Sequence, residues 1–405
     1  MALVRQHLID PEICIRCNTC EETCPVNAIT HNDENYVVDA SICNLSLDCI
    51  APCPTGAIDS FRMVLVPHSI DDQYAWEDLP EDQEAAEGPA PETAGLDTDA
   101  GEILDIAMGE KRNSLVPPFS AAHPYVNLYT RDHPATATVT GNFRITGPDA
   151  EADIRHIVLD FGTTAFPVLE GQSIGILPDG TDAKGRPHRM RLYSVASPRD
   201  GERPNHNNVA LTVKRVLFDP ADGQSGQGGG VASNYLCDLE RGARVRVTGP
   251  YGDAFLMPNH KDANIIMVCT GTGAAPFRAM TEYRRRHMPS ATGKLMLFFG
   301  ARRPEELPYF GPLKKLPRSL MDQELVFSRL PDAPKEYVQD RMRTRAADLA
   351  DLLRSDNTFL YICGLKGMET GVETALSDIC AAQNLDWPAI KTAMEQAGRY
   401  HVETY

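Results

Sequence analysis

Four cysteines near the amino terminus stand at a spacing that suits iron–sulfur chemistry. Cys14, Cys17, Cys20 and Cys24 are separated by two, two and three residues, and Pro25 follows directly. Three sulfurs on one tight loop can reach three irons of a cubane, while the fourth sulfur binds a neighbouring cluster. A structural zinc loop also uses paired cysteines, but it does not call for the proline-terminated ending twice. The spacing predicts a bacterial-type, two-cluster ferredoxin unit.

A second cysteine run follows and departs from the pattern at one place. The sequence has Ser46 where the middle cysteine of the run belongs, between Cys43 and Cys49. In two-cluster units the last cysteine of each run binds the other cluster. We therefore expect one cluster on Cys14, Cys17, Cys20 and Cys53, and another on Cys24, Cys43 and Cys49.

Three alternatives stay open for the second site. It holds a three-iron cluster on three thiolates, or a four-iron cluster whose last iron takes a hydroxyl, a water or an oxygen of Asp48, or it has lost its metal. A ligand other than thiolate would make that iron labile. The three remaining thiols and both prolines, Pro25 and Pro54, favour a retained cluster.

Composition narrows the class of protein. The 405 residues are 42% hydrophobic, which is enough for two or three packed domains. A net charge of −17 argues against a nucleic-acid partner. Clustered free thiols belong in a reducing compartment, and the sequence shows neither a signal peptide nor an apolar run long enough to span a membrane. We expect a cytoplasmic protein without membrane or nucleic-acid partners.

The chain divides into four predicted segments. Residues 1–66 form the ferredoxin unit, and residues 67–118 form an acidic linker, either a solvated spacer or a dock for a basic partner. Short β-branched segments over residues 119–260 predict an antiparallel β-barrel. Alternating strands and helices over residues 261–405 predict a doubly wound parallel sheet. The fold class is thus a multidomain combination of α+β and α/β.

Two glycine turns mark the carboxyl edge of the predicted parallel sheet. Gly271-Thr-Gly273 follows the strand 264–269 and precedes a helix over 274–287, so backbone N–H groups there could face a phosphate. A second turn, Cys363 to Met368, ends another strand of the same sheet, and ligands bind at that edge. In the barrel, Arg191, Tyr193 and Ser194 could pair with a pyrophosphate, stack on a flat ring and hydrogen-bond to it.

Two other groups of residues receive structural interpretations. Cys237, Cys269 and Cys380 lie in apolar settings and are expected to be buried small residues. The run Arg284 to His287 is interpreted as a helix end that complements its dipole. The histidines show no metal-ligand spacing, so no mononuclear metal site is predicted.

Together the motifs resemble the plant-type ferredoxin–NADP(H) reductases over the last two-thirds of the chain. The resemblance implies FAD and NADPH as cofactors and an oxidoreductase activity. The motifs are Gly171-Gln-Ser-Ile-Gly175, Arg191-Leu-Tyr-Ser194, Val213-Lys-Arg215, Val231-Ala-Ser-Asn-Tyr-Leu236, Thr248-Gly-Pro250, Gly271-Thr-Gly-Ala-Ala-Pro-Phe-Arg278, Phe327-Ser-Arg329 with Lys335 and Tyr337, Cys363-Gly-Leu-Lys-Gly-Met-Glu369 and Val402-Glu-Thr-Tyr405.

The resemblance also implies roles for individual residues. Tyr405 would cover the isoalloxazine ring until nicotinamide displaces it, and Ser194, Cys363 and Glu403 would line the site of hydride transfer. Two cations and a hydroxyl at the adenosine end would suit the 2′-phosphate of NADPH. FAD would bind Arg191, Tyr193, Ser194, Lys214, Gly230, Val231, Ala232 and Ser233; NADP(H) would bind Thr272, Gly273, Ser328, Arg329, Lys335, Tyr337, Gly364 and Met368.

The order of the units resembles the reductase components of benzoyl-CoA epoxidase systems in aerobic aromatic degradation. In such systems electrons pass from NADPH through FAD and [4Fe–4S] clusters to a separate di-iron oxygenase. We expect the same partner here, and a homodimer is a candidate assembly. Two alternatives remain: a reductase that runs toward NADPH formation, and a non-enzymatic electron-carrier subunit.

Overall fold

A computed structural model of the chain describes residues 4–80, 124–218, 228–331 and 333–405. Three units appear in the described residues: a small cysteine-rich unit, an antiparallel sheet and a parallel sheet with helices on both faces. No helix in these ranges is long and apolar enough to cross a membrane. Most of the predicted linker lies outside the described residues, and so does most of the glycine-rich segment 222–230, which the sequence predicts to be a flexible loop.

The cysteine-rich unit is built from short elements around a core that includes its own thiols. Ile9, Ile29 and Ile58 pack with buried Cys20, Cys49 and Cys53. Its strands form two antiparallel pairs, β1 with β4 and β2 with β3. The bounds are β1 Val4–His7, α1 Thr19–Thr23, β2 Ile29–His31, β3 Tyr36–Val38 and β4 Phe61–Val64.

A helix lies at the start of the segment predicted as linker. It is α2 (Ile70–Tyr74), which begins with a capping box at Ser69 and Asp72. Gln73 is buried and exchanges hydrogen bonds with both backbone groups of Val38. The Asn35 amide donates to three carbonyls of residues 73–76. The first unit therefore continues past residue 66, to at least residue 76.

The antiparallel sheet has the order β8-β7-β12-β5-β6-β9. A bridge between Val195 and Leu211 joins its two edges, so the sheet closes into the predicted barrel. Alternate residues of β5 are buried, as expected for a strand with one face on the core. The bounds are β5 Ala135–Arg144, β6 Ile154–Asp160, β7 Ser173–Leu177, β8 Arg191–Ser194, β9 Asn208–Lys214, β10 Leu217–Phe218, β11 Gly228–Gly229, α3 Val231–Asp238 and β12 Arg244–Tyr251.

The parallel sheet has the order β15-β14-β13-β16-β17, which confirms the predicted doubly wound unit. Between Val338 and Leu353 the chain forms two helices, because the backbone breaks at Arg345, whose side chain pairs with Asp322, Glu324 and Asp348. The bounds are β13 Asn264–Thr270, α4 Ala274–His287, β14 Leu295–Ala301, α5 Phe310–Lys315, β15 Asp322–Phe327, α6 Val338–Thr344, α7 Ala346–Leu353, β16 Thr358–Gly364, α8 Met368–Ala382, α9 Trp387–Gln396 and β17 Tyr400–Thr404.

A buried polar network joins the barrel to the parallel sheet. Arg278 of α4 makes two 2.7 Å hydrogen bonds with the Glu202 carboxylate, which is fully buried. The Tyr309 hydroxyl lies 2.8 Å from both Nδ1 of His156 and the Thr212 hydroxyl of the barrel. Burial alone would raise the pKa of Glu202, but Arg278 and His156 hold it well below its ordinary value. The network fixes α4 against the barrel.

Removal of the cation from this network should destabilise the reductase units strongly. We expect Arg278→Met to lower the free energy of unfolding by about 3–5 kcal/mol, because Glu202 would remain buried without its partner. Urea unfolding followed by flavin fluorescence measures the change. Arg246→Ala is the control: Arg246 pairs with Asp179 at the surface, and its loss should cost under about 1 kcal/mol. Equal losses in the two variants would contradict the assignment.

Candidate functional site

A cleft of about 1310 Å³ opens where the barrel meets the carboxyl edge of the parallel sheet. Basic side chains such as Arg189 and Arg302 line it together with aromatic ones. Its size and charge suit a large ligand that carries phosphates. The structure brings these sequence-predicted residues to the cleft: Arg191, Tyr193, Ser194, Lys214, Gly230, Val231, Ala232, Ser233, Thr272, Glu403 and Tyr405.

The barrel side of the cleft fits the pyrophosphate and the ring of a flavin dinucleotide. Gly230 is the N-cap of helix α3 and makes no side-chain cap. The first N–H groups of the helix, at the positive end of its dipole, therefore need another acceptor. The Ser233 hydroxyl donates to the Gly230 carbonyl and accepts the Val216 N–H, which fixes this turn. Arg191 and Tyr193 stand on β8 and Lys214 ends β9, so cations and an aromatic ring face the same space.

A half-buried carboxylate, that of Glu403, lines the cleft. Glu403 is on β17, and Ser194 and Ser173 lie within hydrogen-bonding reach of it. Burial raises the pKa of Glu403, although both serines oppose the shift. One of its oxygens is buried and has no hydrogen-bond partner among the described residues, as expected for a group that meets a ligand. Cys363 is buried beside Glu403 in the sheet register and does not line the cleft itself.

The carboxyl-terminal tyrosine lies over the glycine turn of β13. The Tyr405 hydroxyl is 2.7 Å from the Thr272 hydroxyl, and the Tyr405 N–H donates to the Gly364 carbonyl. Gly273 has to be a glycine, because a Cβ there would come within 2.2 Å of the Cys363 carbonyl oxygen. Two strand ends and the chain terminus thus meet at one point. Met368 does not line the cleft; it packs against the core under Gly364.

The four predicted adenosine-binding residues follow β15, the edge strand of the same sheet. The N–H of Ser328 donates to the Ala301 carbonyl, so the turn after β15 lies beside the end of β14. The Lys335 ammonium is 5.0 Å from the centroid of the Tyr337 ring, and Arg329, Lys335 and Tyr337 are exposed. An exposed aromatic ring beside cations suits a purine and a phosphate.

The cysteines form two groups, in the crossed arrangement expected from the sequence. Cys14, Cys17, Cys20 and Cys53 line one small cavity with apolar neighbours. Cys24, Cys43 and Cys49 line a second cavity, and Ser46 lines it as well. Each cavity therefore takes one thiol from the other cysteine run.

The thiol positions suit a cluster better than a single ion. No three His, Cys, Asp or Glu side chains within the described ranges converge as they would around one metal ion. The thiols instead surround a space between them, and in a cubane each sulfur binds its own iron. Burial raises the pKa of Cys14, Cys17 and Cys20, so a bound cation has to offset the cost of three thiolates there. This donor set fits an iron–sulfur cluster.

The loop that carries Cys14 rests directly on the reductase units. Ile13 and Ile15 share a cavity of about 40 Å³ with Ala274 and Phe277 of α4. A second contact is made by Arg203, which donates to the carbonyls of Ile50 and Ala51 at 3.1 and 3.3 Å.

Ion pairs complete this interface at two further places. Arg285 pairs with Glu12 at 3.6 Å, and Lys315 pairs with Glu34 at 3.4 Å. Lys315 also donates to the Trp76 carbonyl. The cysteine-rich unit is therefore docked at a defined place, with the Cys14 loop against α4.

The barrel, the parallel sheet, the cleft between them and the docked cysteine-rich unit together define a flavin-containing reductase that carries an iron–sulfur unit at its amino terminus. Residues 267–374 match the model of the oxidoreductase NAD-binding domain, and residues 7–30 match the 4Fe-4S binding domain. The chain is 38% identical to the cyanelle ferredoxin–NADP reductase of Cyanophora paradoxa over 289 residues, 69% of this chain and 79% of that protein. It is 37% identical to the chloroplastic enzyme of Spinacia oleracea over 69% of this chain and 78% of the relative.

A solved ferredoxin–NADP⁺ reductase from Plasmodium falciparum shares the fold. It aligns with a TM-score of 0.55 at 23% identity and covers 69% of this chain and all of that structure. The chain belongs to the ferredoxin–NADP reductase family. It is an NADP-dependent oxidoreductase, and the family and the 4Fe-4S match imply FAD, NADP(H) and a [4Fe–4S] cluster.

Sequence reasoning missed several cations of the cleft, among them Arg189 and Arg302, and saw only part of the role of a run of arginines. Arg302 lines the cleft directly after β14, and a basic residue at a strand's carboxyl end was the available signal. The run from Arg284 to His287 does end α4, but its side chains do more than complement the dipole. Arg286 donates to the carbonyls of Gly201 and Glu202, which ties α4 to the barrel.

The crossed cysteine groups predict which metal each variant loses. We expect Cys53→Ala to remove about four irons per chain, those of the site shared with Cys14, although Cys53 belongs to the second run. Iron and acid-labile sulfide counts on anaerobically purified protein measure the loss, and the EPR spectrum of the remaining cluster shows which site has lost its iron. Cys380→Ala, a buried thiol in the core of the parallel unit, should keep the full count. Loss of the other site's iron in Cys53→Ala would refute the crossing.

Proposed function

We propose that the chain is a reductase component that takes a hydride from NADPH and passes electrons one at a time to a separate oxygenase. The observation that carries the proposal is the docking of the cysteine-rich unit on α4, the helix whose first turn lines the cleft. A flavin accepts two electrons at once and can release them singly, which matches one-electron iron–sulfur carriers. A carrier fixed beside its source has a high effective concentration.

Within this proposal the cleft residues divide by task. Arg191, Tyr193, Ser194, Lys214 and the turn Gly230 to Ser233 would hold FAD, and Tyr405 would cover its ring until nicotinamide entered. The Glu403 carboxylate would stabilise the positive charge that a nicotinamide ring gains on loss of a hydride. Ser194 orients Glu403, and Cys363 and Gly273 support the floor of the cleft.

The NADP(H) pyrophosphate binds to Thr272 and Gly364, and Met368 holds the turn at Gly364. The adenosine end binds to Ser328, Arg329, Lys335 and Tyr337.

The metal sites are proposed with the same division. Cys14, Cys17, Cys20 and Cys53 hold the cluster that faces α4, and Cys24, Cys43 and Cys49 hold a second cluster farther along the unit. The resemblance in domain order to benzoyl-CoA epoxidase reductases supports a cytoplasmic di-iron oxygenase as the acceptor. The domain boundaries at residues 118 and 260 belong to this proposal too.

The acceptor is tested by reconstitution with a purified di-iron benzoyl-CoA epoxidase. The proposal expects oxidation of NADPH and uptake of O₂ in equal amounts, dependent on benzoyl-CoA. If the rate of NADPH oxidation did not change on addition of the oxygenase and benzoyl-CoA, this oxygenase would be ruled out as the acceptor. Formation of NADPH from reduced ferredoxin at a higher rate than its oxidation would favour the reverse direction.

The raised pKa of Glu403 predicts a pH dependence for hydride transfer. The transfer rate, measured by stopped-flow flavin bleaching with NADPH, should fall as the pH drops through that pKa, because the neutral acid cannot stabilise a positive ring. Glu403→Gln should be slower by roughly a hundredfold at neutral pH and should lack this dependence. Glu395→Gln, on the surface of α9, should behave as the wild type. An unchanged pH profile in Glu403→Gln would contradict the role.

The adenosine end predicts a switch of nucleotide. In the double variant Ser328→Asp with Arg329→Ala, the ratio of kcat/KM for NADPH to kcat/KM for NADH should fall by about ten- to hundredfold. A carboxylate replaces the Ser328 hydroxyl and the Arg329 cation is removed, so both groups that bind the 2′-phosphate are lost. Ferricyanide reduction with each nucleotide measures the ratio. The control Arg318→Ala removes an exposed cation from the turn before β15. An unchanged ratio in the double variant would show that the 2′-phosphate binds elsewhere.

A further inference from the structure

The two cysteine loops share an unusual backbone, although one of them lacks its middle cysteine. Around Cys17 the flanking residues Arg16 and Asn18 have φ of 58° and 64°. Around Ser46 the flanking residues are leucines, and Leu45 and Leu47 have φ of 56° and 69°. Asparagine tolerates this left-handed conformation, but a leucine adopts it only when its surroundings impose it. The second loop thus keeps the winding of a cluster-binding loop.

Ser46 occupies the corner of the second cavity that a thiolate would hold. Cys17 lines the first cavity between Cys14 and Cys20, and Ser46 lines the second between Cys43 and Cys49. The Ser46 N–H donates to the Asn44 side chain at 3.2 Å, which helps to fix the loop. The position of the fourth ligand is therefore retained, and only its chemistry has changed.

The neighbouring carboxylate is not placed to take over this corner. Asp48 is exposed and is not among the residues that line the second cavity. Ser46 is also exposed, whereas Cys49 is buried. Thiolates suit iron–sulfur clusters, and a neutral serine hydroxyl is a far weaker ligand. The corner is thus open to water and to small molecules.

We propose that the second site holds a four-iron cluster with one exchangeable iron at the Ser46 corner, whose open position takes small soft donors such as cyanide or a thiolate. This rests on the proposed presence of a second cluster. The same iron is the one lost on oxidation. Ferricyanide takes one electron from a [4Fe–4S]²⁺ cluster, one Fe²⁺ leaves, and [3Fe–4S]⁺ remains, so that charge and atoms balance.

The test compares the full-length wild type with Ser46→Cys after anaerobic purification. The wild type should contain about eight irons per chain, fall to about seven after one equivalent of ferricyanide, and regain the eighth with Fe²⁺ and dithionite. Ser46→Cys should keep about eight throughout. Cyanide should shift the EPR spectrum of the reduced wild type and leave that of Ser46→Cys unchanged.

Ser41→Cys is the matched control, because Ser41 lies exposed on the same loop but its hydroxyl bonds to Asp39, away from the cavity. It should lose iron and respond to cyanide as the wild type does. Equal iron loss and equal cyanide response in wild type and Ser46→Cys would overturn the inference. A wild type with only about four irons would instead show that the proposed second cluster is absent.

Discussion

Helix α4 lies between the cleft and the iron–sulfur unit and contacts both, and the rest of the molecule depends on this helix being fixed in place. Thr272, in the turn just before the helix, and Ala275, in its first turn, line the cleft, while Ala274 and Phe277 meet the Cys14 loop on the other side. A helix is about 10–12 Å across with its side chains, so one such layer separates the two compartments. An electron that leaves the cleft toward the cysteines therefore has little protein to cross.

The polar network around Arg278 holds helix α4 in place against the barrel. Its guanidinium is paired with buried Glu202 and also donates to the Ala196 carbonyl. Because a buried ion pair is costly to break, it favours one arrangement of barrel and sheet over others. Arg285 of the same helix reaches Glu12 of the iron–sulfur unit. One helix thus contacts both the barrel and the iron–sulfur unit, and Arg203 and Lys315 add further contacts between the units.

The sequence predicted the reductase units well because their signals are local. The strand, glycine turn and helix from Asn264 to His287 appear where periodicity and glycine spacing placed them, and the cysteine spacing predicted the crossed groups. The interface could not be predicted in this way. Arg203 binds two carbonyls about 150 residues away, and such contacts leave no pattern along the chain. Helix α2 was missed because its acidic residues resemble the linker that follows.

Electrons are expected to pass from the cleft to the docked iron–sulfur unit within one chain. The most direct measurement mixes anaerobic full-length protein with NADPH and follows flavin absorbance and cluster EPR in rapidly frozen samples at several protein concentrations. Cluster reduction should follow flavin bleaching, at a rate independent of protein concentration. A flavin that bleaches while the clusters stay oxidised, or a rate proportional to protein concentration, would contradict it.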